Sequence, residues 1–194
     1  QSALVEKKLR DALQKPTGEL TQADRMKVTR FGGHGWQINA EGLREVAKLQ
    51  NLTHLVLNSS PTTDEGLKEV AKLRKLKQLH LWTTKITDAG LKEVAKLKNL
   101  TTLNLSDTQT SDAGLREVAK LQNLTYLGLH RTKITDDGLK EVTKLKKLTK
   151  LSLDGTQITD KGLKEVAKLK NLTQLKLSDT QTSDAGLREV AKLQ

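Results

Sequence analysis

One period describes almost the whole chain: the dipeptide Gly-Leu recurs every 24 residues, seven times in all, from Gly42 to Gly186. Counted back from the last residue, 27–194 divides into seven units of 24 residues. The stretch 106–122 returns letter for letter at 178–194, three units later. Units of this length cannot bury a core singly, so they are predicted to stack into a solenoid in which each unit contacts its neighbours.

Two kinds of hydrophobic spacing alternate inside each unit. The pattern L-x-x-L-x-L, as in 100–105, predicts a short strand, because residues at alternate positions share one face of a strand. The pattern D-x-G-L-x-x-V-A-x-L, as in 88–97, has its apolar residues at helical intervals and predicts a short helix. Asp88 is predicted to cap that helix, since a carboxylate accepts hydrogen bonds from first-turn amides. Gly90 is expected where a neighbouring unit leaves no room for a methyl group.

These residues resemble the leucine-rich repeat family, whose general pattern is L-x-x-L-x-L-x-x-N/C-x-L. Over 27–194 the pattern reads L-x-x-L-x-L-x-x-T-x-I-T-D-x-G-L, which is most similar to the 24-residue bacterial and ribonuclease-inhibitor-like repeats. The resemblance implies an α/β solenoid, or horseshoe, with a parallel sheet on the concave side and helices on the convex side. Threonine replaces the usual Asn or Cys, as at Thr84, and its hydroxyl is expected to donate to a carbonyl of the adjacent coil.

Residues 1–26 lie outside the repeat and are predicted to form a helical N-terminal cap. Apolar residues at helical spacing in 4–13 predict an amphipathic helix, and Thr21 is predicted to open a second, shorter one. The segment resembles the helical caps of bacterial leucine-rich repeat proteins. No matching cap is evident after the last repeat, where Leu187 would lack a covering coil. We therefore expect a shortened chain, a homodimer through this end, or both.

The exposed strand positions differ from unit to unit, whereas the helix positions hardly vary. A constant scaffold with a varied inner face favours a recognition surface, so we predict a non-enzymatic module that binds a protein or peptide there. Trp82 and Tyr126 are the expected anchors, because aromatic side chains dominate interface energetics. The histidines would add pH dependence. The candidate partner-binding residues are Arg30, His34, His54, Gln78, His80, Trp82, Asn104, Tyr126, His130, Lys150, Asp154 and Lys176.

Two alternatives to protein recognition stay open. One is a structural or designed scaffold without a natural ligand. The other is a polyanion binder that uses lysines of the convex helices, since the formal net charge is +11. Repetition of one mildly basic unit is expected to explain most of that charge. Nucleic acid is disfavoured, because aromatic residues are not interleaved with the lysines.

Composition and motifs exclude several classes of protein. The chain has no Cys, which excludes a disulfide scaffold and a Cys-ligated metal site. No apolar run approaches the roughly 20 residues that span a bilayer. Six Asn-x-Ser/Thr sequons, one at Asn104 on the predicted binding face, favour a bacterial secreted, cell-surface or cytoplasmic protein, or an engineered one, over the eukaryotic secretory pathway.

Catalytic motifs are also missing from the sequence. It contains no H-E-x-x-H, no G-x-x-x-x-G-K-[ST] and no G-x-S-x-G, and 32–35 (GGHG) resembles a phosphate loop only superficially. His54 and His80 are expected on adjacent strands, without a third ligand nearby. We therefore expect no enzyme, no catalytic residue, no metal site and no cofactor.

Overall fold

Short parallel strands follow one another at intervals of 24 residues and alternate with short helices. The structure, a computed structural model, describes residues 2–191. Residue 1 of the predicted cap and 192–194 of the last predicted unit lie outside the described residues. The strands are β1 Arg30–Gly32, β2 His54–Val56, β3 Gln78–His80, β4 Thr102–Asn104, β5 Tyr126–Gly128, β6 Lys150–Ser152 and β7 Gln174–Lys176.

The helices precede the sheet, connect its strands or, in the case of the last one, follow the final strand. Within residues 2–191 they are α1 Ser2–Leu13, α2 Gln22–Lys27, α3 Ala40–Val46, α4 Asp64–Val70, α5 Asp88–Val94, α6 Asp112–Val118, α7 Asp136–Val142, α8 Asp160–Val166 and α9 Asp184–Val190. All the strands pair in parallel and in chain order, so the sheet is open and each strand contacts the one 24 residues away. The predicted α/β solenoid is confirmed.

A continuous leucine core separates the sheet from the helices. In the unit that begins at residue 99, Leu100, Leu103 and Leu105 are fully buried, and Leu115 and Val118 of the following helix are 1% exposed. Each such side chain contributes about 1.5–3 kcal/mol when it is removed from water. The leucine pattern therefore determines which strand face and which helix face meet.

The repeat helices begin differently from the prediction. The N-cap of α5 is Thr87, whose hydroxyl accepts the amide of Ala89 at 3.2 Å. The capping role predicted for Asp88 is wrong, because this carboxylate accepts the backbone N–H and the hydroxyl of Ser111 in the next coil, at 2.8 and 2.5 Å. The same bond between coils joins the pairs Asp64–Thr87, Asp112–Thr135, Asp136–Thr159 and Asp160–Ser183.

Two further predictions concern contacts between coils. The hydroxyl of Thr84 donates to the carbonyl of Leu81, in its own coil, at 2.7 Å. The predicted bond from Thr84 to the adjacent coil is therefore wrong, and the aspartates make that connection instead. The close approach predicted at Gly90 is confirmed, since a Cβ there would lie 2.8 Å from Cδ1 of Leu67 and against the carboxylate of Asp64.

The segment before β1 lies against the first repeat. Helix α1 buries Val5 and Leu9 and packs against α3. Thr21 is the N-cap of helix α2 and forms a capping box with Asp24. Hydrogen bonds from Lys15 and Thr21 hold the pKa of the Asp24 carboxyl far below its ordinary value. None of the helices among the described residues is long and apolar enough to cross a membrane.

Candidate functional site

The register of the sheet arranges the varied side chains in columns. One column pairs Arg30 with His54 and His54 with Gln78, and continues through Tyr126 and Lys150. A second column contains Gly32, Val56, His80, Asn104, Gly128, Ser152 and Lys176. The other four candidates, His34, Trp82, His130 and Asp154, lie in the turns just after the strands. All twelve candidates therefore belong to the sheet face or to the carboxyl edge of the strands.

Trp82 is exposed, and yet its neighbours hold it in place. Its side chain is 38% exposed, although its indole N–H donates to Asp107 Oδ2 at 2.5 Å. The backbone N–H of Trp82 donates to the side-chain oxygen of Asn58 at 3.0 Å. The ring of His34 lies against the indole, with 5.7 Å between ring centroids. An exposed aromatic ring that is already ordered loses little side-chain entropy when a partner covers it.

Asp107 is a residue that the sequence interpretation missed. It follows a strand and has φ of 51°, in the left-handed region that glycine favours. Its backbone N–H donates to the carbonyl of His130 in the next coil at 2.8 Å, which fixes the turn. Gly35 and Gly155 occupy the equivalent position in other units, also with positive φ. Those glycines were the available sequence signal that this position is a tight turn beside the candidate face.

A second polar cluster lies next to Trp82. The imidazole Nε2 of His130 is 4.0 Å from Asp107 Oδ2. Asp154 accepts the hydroxyl of Ser152 at 2.7 Å and the amide of Ser178 at 3.0 Å. Burial alone would raise the pKa of the Asp154 carboxyl, but these hydrogen bonds outweigh it, and the pKa lies below its ordinary value. Asp154 therefore presents a negative charge beside His130 at neutral pH.

These side chains line a central groove with a volume of about 740 Å³. Five of the sequence candidates line it: Trp82, Asn104, His130, Asp154 and Lys176. Tyr126 and Lys150 line a smaller neighbouring pocket, together with Lys176. Burial and the charge of Asp154 raise the pKa of the Tyr126 hydroxyl, so this phenol is a neutral hydrogen-bonding group. The groove offers one exposed indole with hydroxyl, imidazole, carboxylate and ammonium groups around it.

The remaining candidates lie outside the central groove. Arg30 and His54 line a separate pocket at the β1 end of the sheet. The ring of His34 contacts Trp82, which lines the groove. Burial, then the charges of Arg30 and Lys77, lower the pKa of His54. Burial, then the charge of His54, lowers the pKa of His80.

His54 and His80 would need a third side chain nearby to hold a metal ion. Within residues 2–191 no group of three or more His, Cys, Asp or Glu side chains is placed to hold a metal ion.

The fold and the varied sheet face define a class of protein: an open α/β repeat solenoid with one strand and one helix per unit. Residues 37–193 match the family model described as a leucine-rich repeat region. The chain belongs to the leucine-rich repeat family, and the resemblance seen in the sequence is confirmed. A search of curated proteins finds no match.

Two solved structures from Listeria monocytogenes are similar to this chain. The crystal structure of internalin C2 superposes with a TM-score of 0.77 at 27% identity, over 98% of this chain and 89% of that one. The crystal structure of internalin F has a TM-score of 0.62 at 23% identity, over 98% of this chain and 73% of that one, and supports the fold alone. The family and the fold are those of a protein–protein interaction module, which is typically non-enzymatic.

Proposed function

We propose that the chain is a non-enzymatic recognition module that binds a protein or peptide on its concave face, in the central groove. The observation that carries this proposal is the state of Trp82. Its indole is exposed, yet Asp107, Asn58 and His34 hold it in one position. A large, preordered, exposed aromatic side chain is typical of an interface anchor.

The dimensions of the sheet suit a partner of ordinary interface size. Among residues 2–191, seven strands about 4.8 Å apart give a sheet about 29 Å across. A face of this width accommodates a patch of about 800 Å² per partner, which is the usual scale of a stable complex. The polar groups around Trp82, namely His130, Asp154 and Lys176, would form the rim that selects the partner.

One column of convex lysines gives little support to the alternative of a polyanion-binding outer face. Just after each of six consecutive repeat helices among residues 2–191, one lysine forms an ion pair with the helix glutamate three residues earlier, at 2.6–2.8 Å. The lysines are Lys48, Lys72, Lys96, Lys120, Lys144 and Lys168. Each pair is close to electrically neutral, so this column presents almost no net charge to a polyanion.

A displayed random-peptide library panned against the purified chain tests the proposal. Affinities of the selected peptides are then measured by calorimetry for the wild type and for the pair Trp82→Ser and Tyr126→Thr. The chain itself has Ser106 and Thr102 at these column positions, so the replacements are compatible with the fold. We expect affinity to fall at least about thirtyfold, the effect of losing one hot-spot residue worth about 2 kcal/mol. The convex pair Lys92→Gln and Arg116→Gln is the matched control and should bind as the wild type does.

Two outcomes would contradict the proposal. If the selected peptides bind the concave variant as tightly as the wild type, the site lies elsewhere on the molecule. If repeated panning enriches no peptide, the result is the one expected of a scaffold without a ligand.

A further inference from the structure

The excess positive charge is unevenly distributed among the repeats. Counted unit by unit from residue 27, with His neutral, the net charge ranges from −1 to +4. Repetition of one mildly basic unit therefore does not account for the total of +11. The structure shows where the excess positive charge lies. Each repeat has two kinds of connection, one from a helix to the next strand and one from a strand to the next helix, and they lie at opposite edges of the sheet.

The six helix-to-strand connections of the repeats contain thirteen Lys or Arg residues and no Asp or Glu. These connections are 47–53, 71–77, 95–101, 119–125, 143–149 and 167–173. Six of the thirteen are the lysines already paired with helix glutamates. The other seven form what we call the basic edge: Arg74, Lys75, Lys77, Lys98, Lys146, Lys147 and Lys170.

The charges of the basic edge are accessible and uncompensated. All seven side chains are exposed, and none forms an ion pair with a carboxylate among residues 2–191. The aspartates gather at the opposite edge of the solenoid, where the first residue of each helix from α4 to α9 is Asp. The two edges of the molecule therefore differ in charge.

The fold does not require these cations, because neutral residues do the same structural work in other units. Lys146 donates to the carbonyl of Thr143 at 2.7 Å, and Gln50 makes the equivalent bond to Ala47 at 2.5 Å. Lys75 donates to the side-chain oxygen of Asn51 in the preceding coil at 2.7 Å, and Asn99, at the equivalent position of the next unit, donates to the carbonyl of Arg74 at 2.8 Å. All the remaining units have Thr at the position of Lys77. Helix stability thus does not explain why cations accumulate here.

The chemistry of the basic edge is charge without apolar surface. The leucines of these connections, such as Leu73 and Leu97, are fully buried, and no aromatic residue occurs in them. A ligand here would meet ammonium, guanidinium, amide and hydroxyl groups only. The row from Arg74 to Lys170 spans four strand intervals, about 19 Å along the sheet. It is a narrow strip, interrupted by the neutral pair Gln122 and Asn123.

We propose that the basic edge binds a linear polyanion, a polymer chain that carries phosphate or sulfate groups. A narrow row of cations follows an extended chain, whereas a membrane would be met by a broader face with apolar side chains to insert. Without aromatic side chains to stack on bases, the edge recognises charge and not sequence. The basic edge is distinct from the central groove, so the two ligands would bind independently.

The test uses two variants with the same net charge of +4, each obtained by removing seven cations from the total of +11. The edge variant carries Arg74→Gln, Lys75→Asn, Lys77→Thr, Lys98→Gln, Lys146→Gln, Lys147→Asn and Lys170→Gln. The control variant carries Lys85→Gln, Lys92→Gln, Arg116→Gln, Arg131→Thr, Lys133→Gln, Lys161→Ala and Lys164→Gln. The probes are fluorescent heparin and long-chain inorganic polyphosphate, titrated by anisotropy, with phosphatidylserine vesicles in a third arm.

We expect the wild type to bind at least one polymer with strong salt dependence. If all seven cations contact oxyanions, affinity falls about a thousandfold between about 50 and 200 mM salt. The edge variant should bind at least about a hundredfold more weakly at low salt, whereas the control should stay within about tenfold and keep the salt slope. Binding of heparin alone or of polyphosphate alone would identify which oxyanion polymer is preferred.

Several results would overturn the proposal. Equal losses in the edge and control variants would mean that only net charge matters. Binding of neither polymer, or of vesicles alone, would exclude a linear polyanion. If the edge variant has a lower melting temperature than the wild type, the comparison is repeated with two smaller variants. One replaces only the basic-edge residues between 74 and 98, and the other only those between 146 and 170. Loss of peptide binding at the central groove leaves this result unaffected, because the two sites share no residue.

Discussion

Aspartates at the helix starts form hydrogen bonds to the next coil, and two helix-start aspartates in stretches of identical sequence allow this bond to be tested. Residues 106–119 and 178–191 have the same sequence, yet Asp112 contacts a following coil and Asp184 contacts none among the described residues. Asp112 accepts the amide of Thr135 at 2.9 Å and its hydroxyl at 2.6 Å. Replacing each aspartate by Ala, which the first repeat has at this position, removes the carboxylate in the same local context.

The structure gives the size of the expected difference. Hydrogen bonds to a charged group contribute about 1.5–3 kcal/mol each, and partial exposure lowers that figure, so Asp112→Ala should cost about 2 kcal/mol more than Asp184→Ala. Both substitutions lose the same favourable interaction with the helix N-terminus, which therefore cancels in the comparison. For a chain of this size the difference corresponds to about 4–8 °C in melting temperature.

Thermal and urea unfolding, followed by far-ultraviolet circular dichroism, measures both variants against the wild type. Equal destabilisation by Asp112→Ala and Asp184→Ala would refute the reasoning, because the aspartates would then act only on their own helices.

Two further predictions concern packing and pH. Gly90→Ala should lower the free energy of unfolding by about 1–3 kcal/mol in urea titrations, because the new methyl would collide with Leu67 and Asp64; unchanged or increased stability would contradict the close approach. Burial lowers the pKa of His80 below its ordinary value of 6.5. The stability that the neutral imidazole contributes to the folded state is therefore complete above pH 6.5 and is lost as the pH falls through the lowered pKa. The melting temperature of His80→Gln should therefore fall less than that of the wild type between about pH 7.5 and about pH 5, and parallel pH curves would argue against this explanation.

The period of 24 residues and the leucine spacing predicted a stacked solenoid of short strands and helices, and the resemblance to leucine-rich repeats implied the parallel sheet. Both patterns extend over the whole repeat region, and their seven copies indicate which face of each strand and helix is buried between neighbouring units. The capping role of Asp88 was mispredicted because Thr87 and Asp88 are adjacent, and either side chain can cap a helix. Only the position of the next coil shows that the hydroxyl caps and the carboxylate bridges to Ser111.

The candidate site was predictable in its columns but not in its contacts. Alternation continued two residues beyond His80 indicates that Trp82 lies on the same side as the exposed strand residues, at the carboxyl edge of the sheet. The bond from its indole to Asp107 depends on a left-handed turn in the following coil. Sequence spacing does not encode that direction, so the residue that orders the anchor was missed.

Fluorine NMR of the chain labelled with 5-fluorotryptophan tests the central claim most directly. The chain has two tryptophans, Trp82 at the central groove and Trp36, which is 6% exposed beneath α1. The spectrum of Trp82→Ser assigns the two resonances. On titration with a peptide selected by panning, the Trp82 resonance should shift in proportion to the bound fraction while that of Trp36 stays in place. Saturation with the peptide and no change at Trp82 would contradict binding at the concave face.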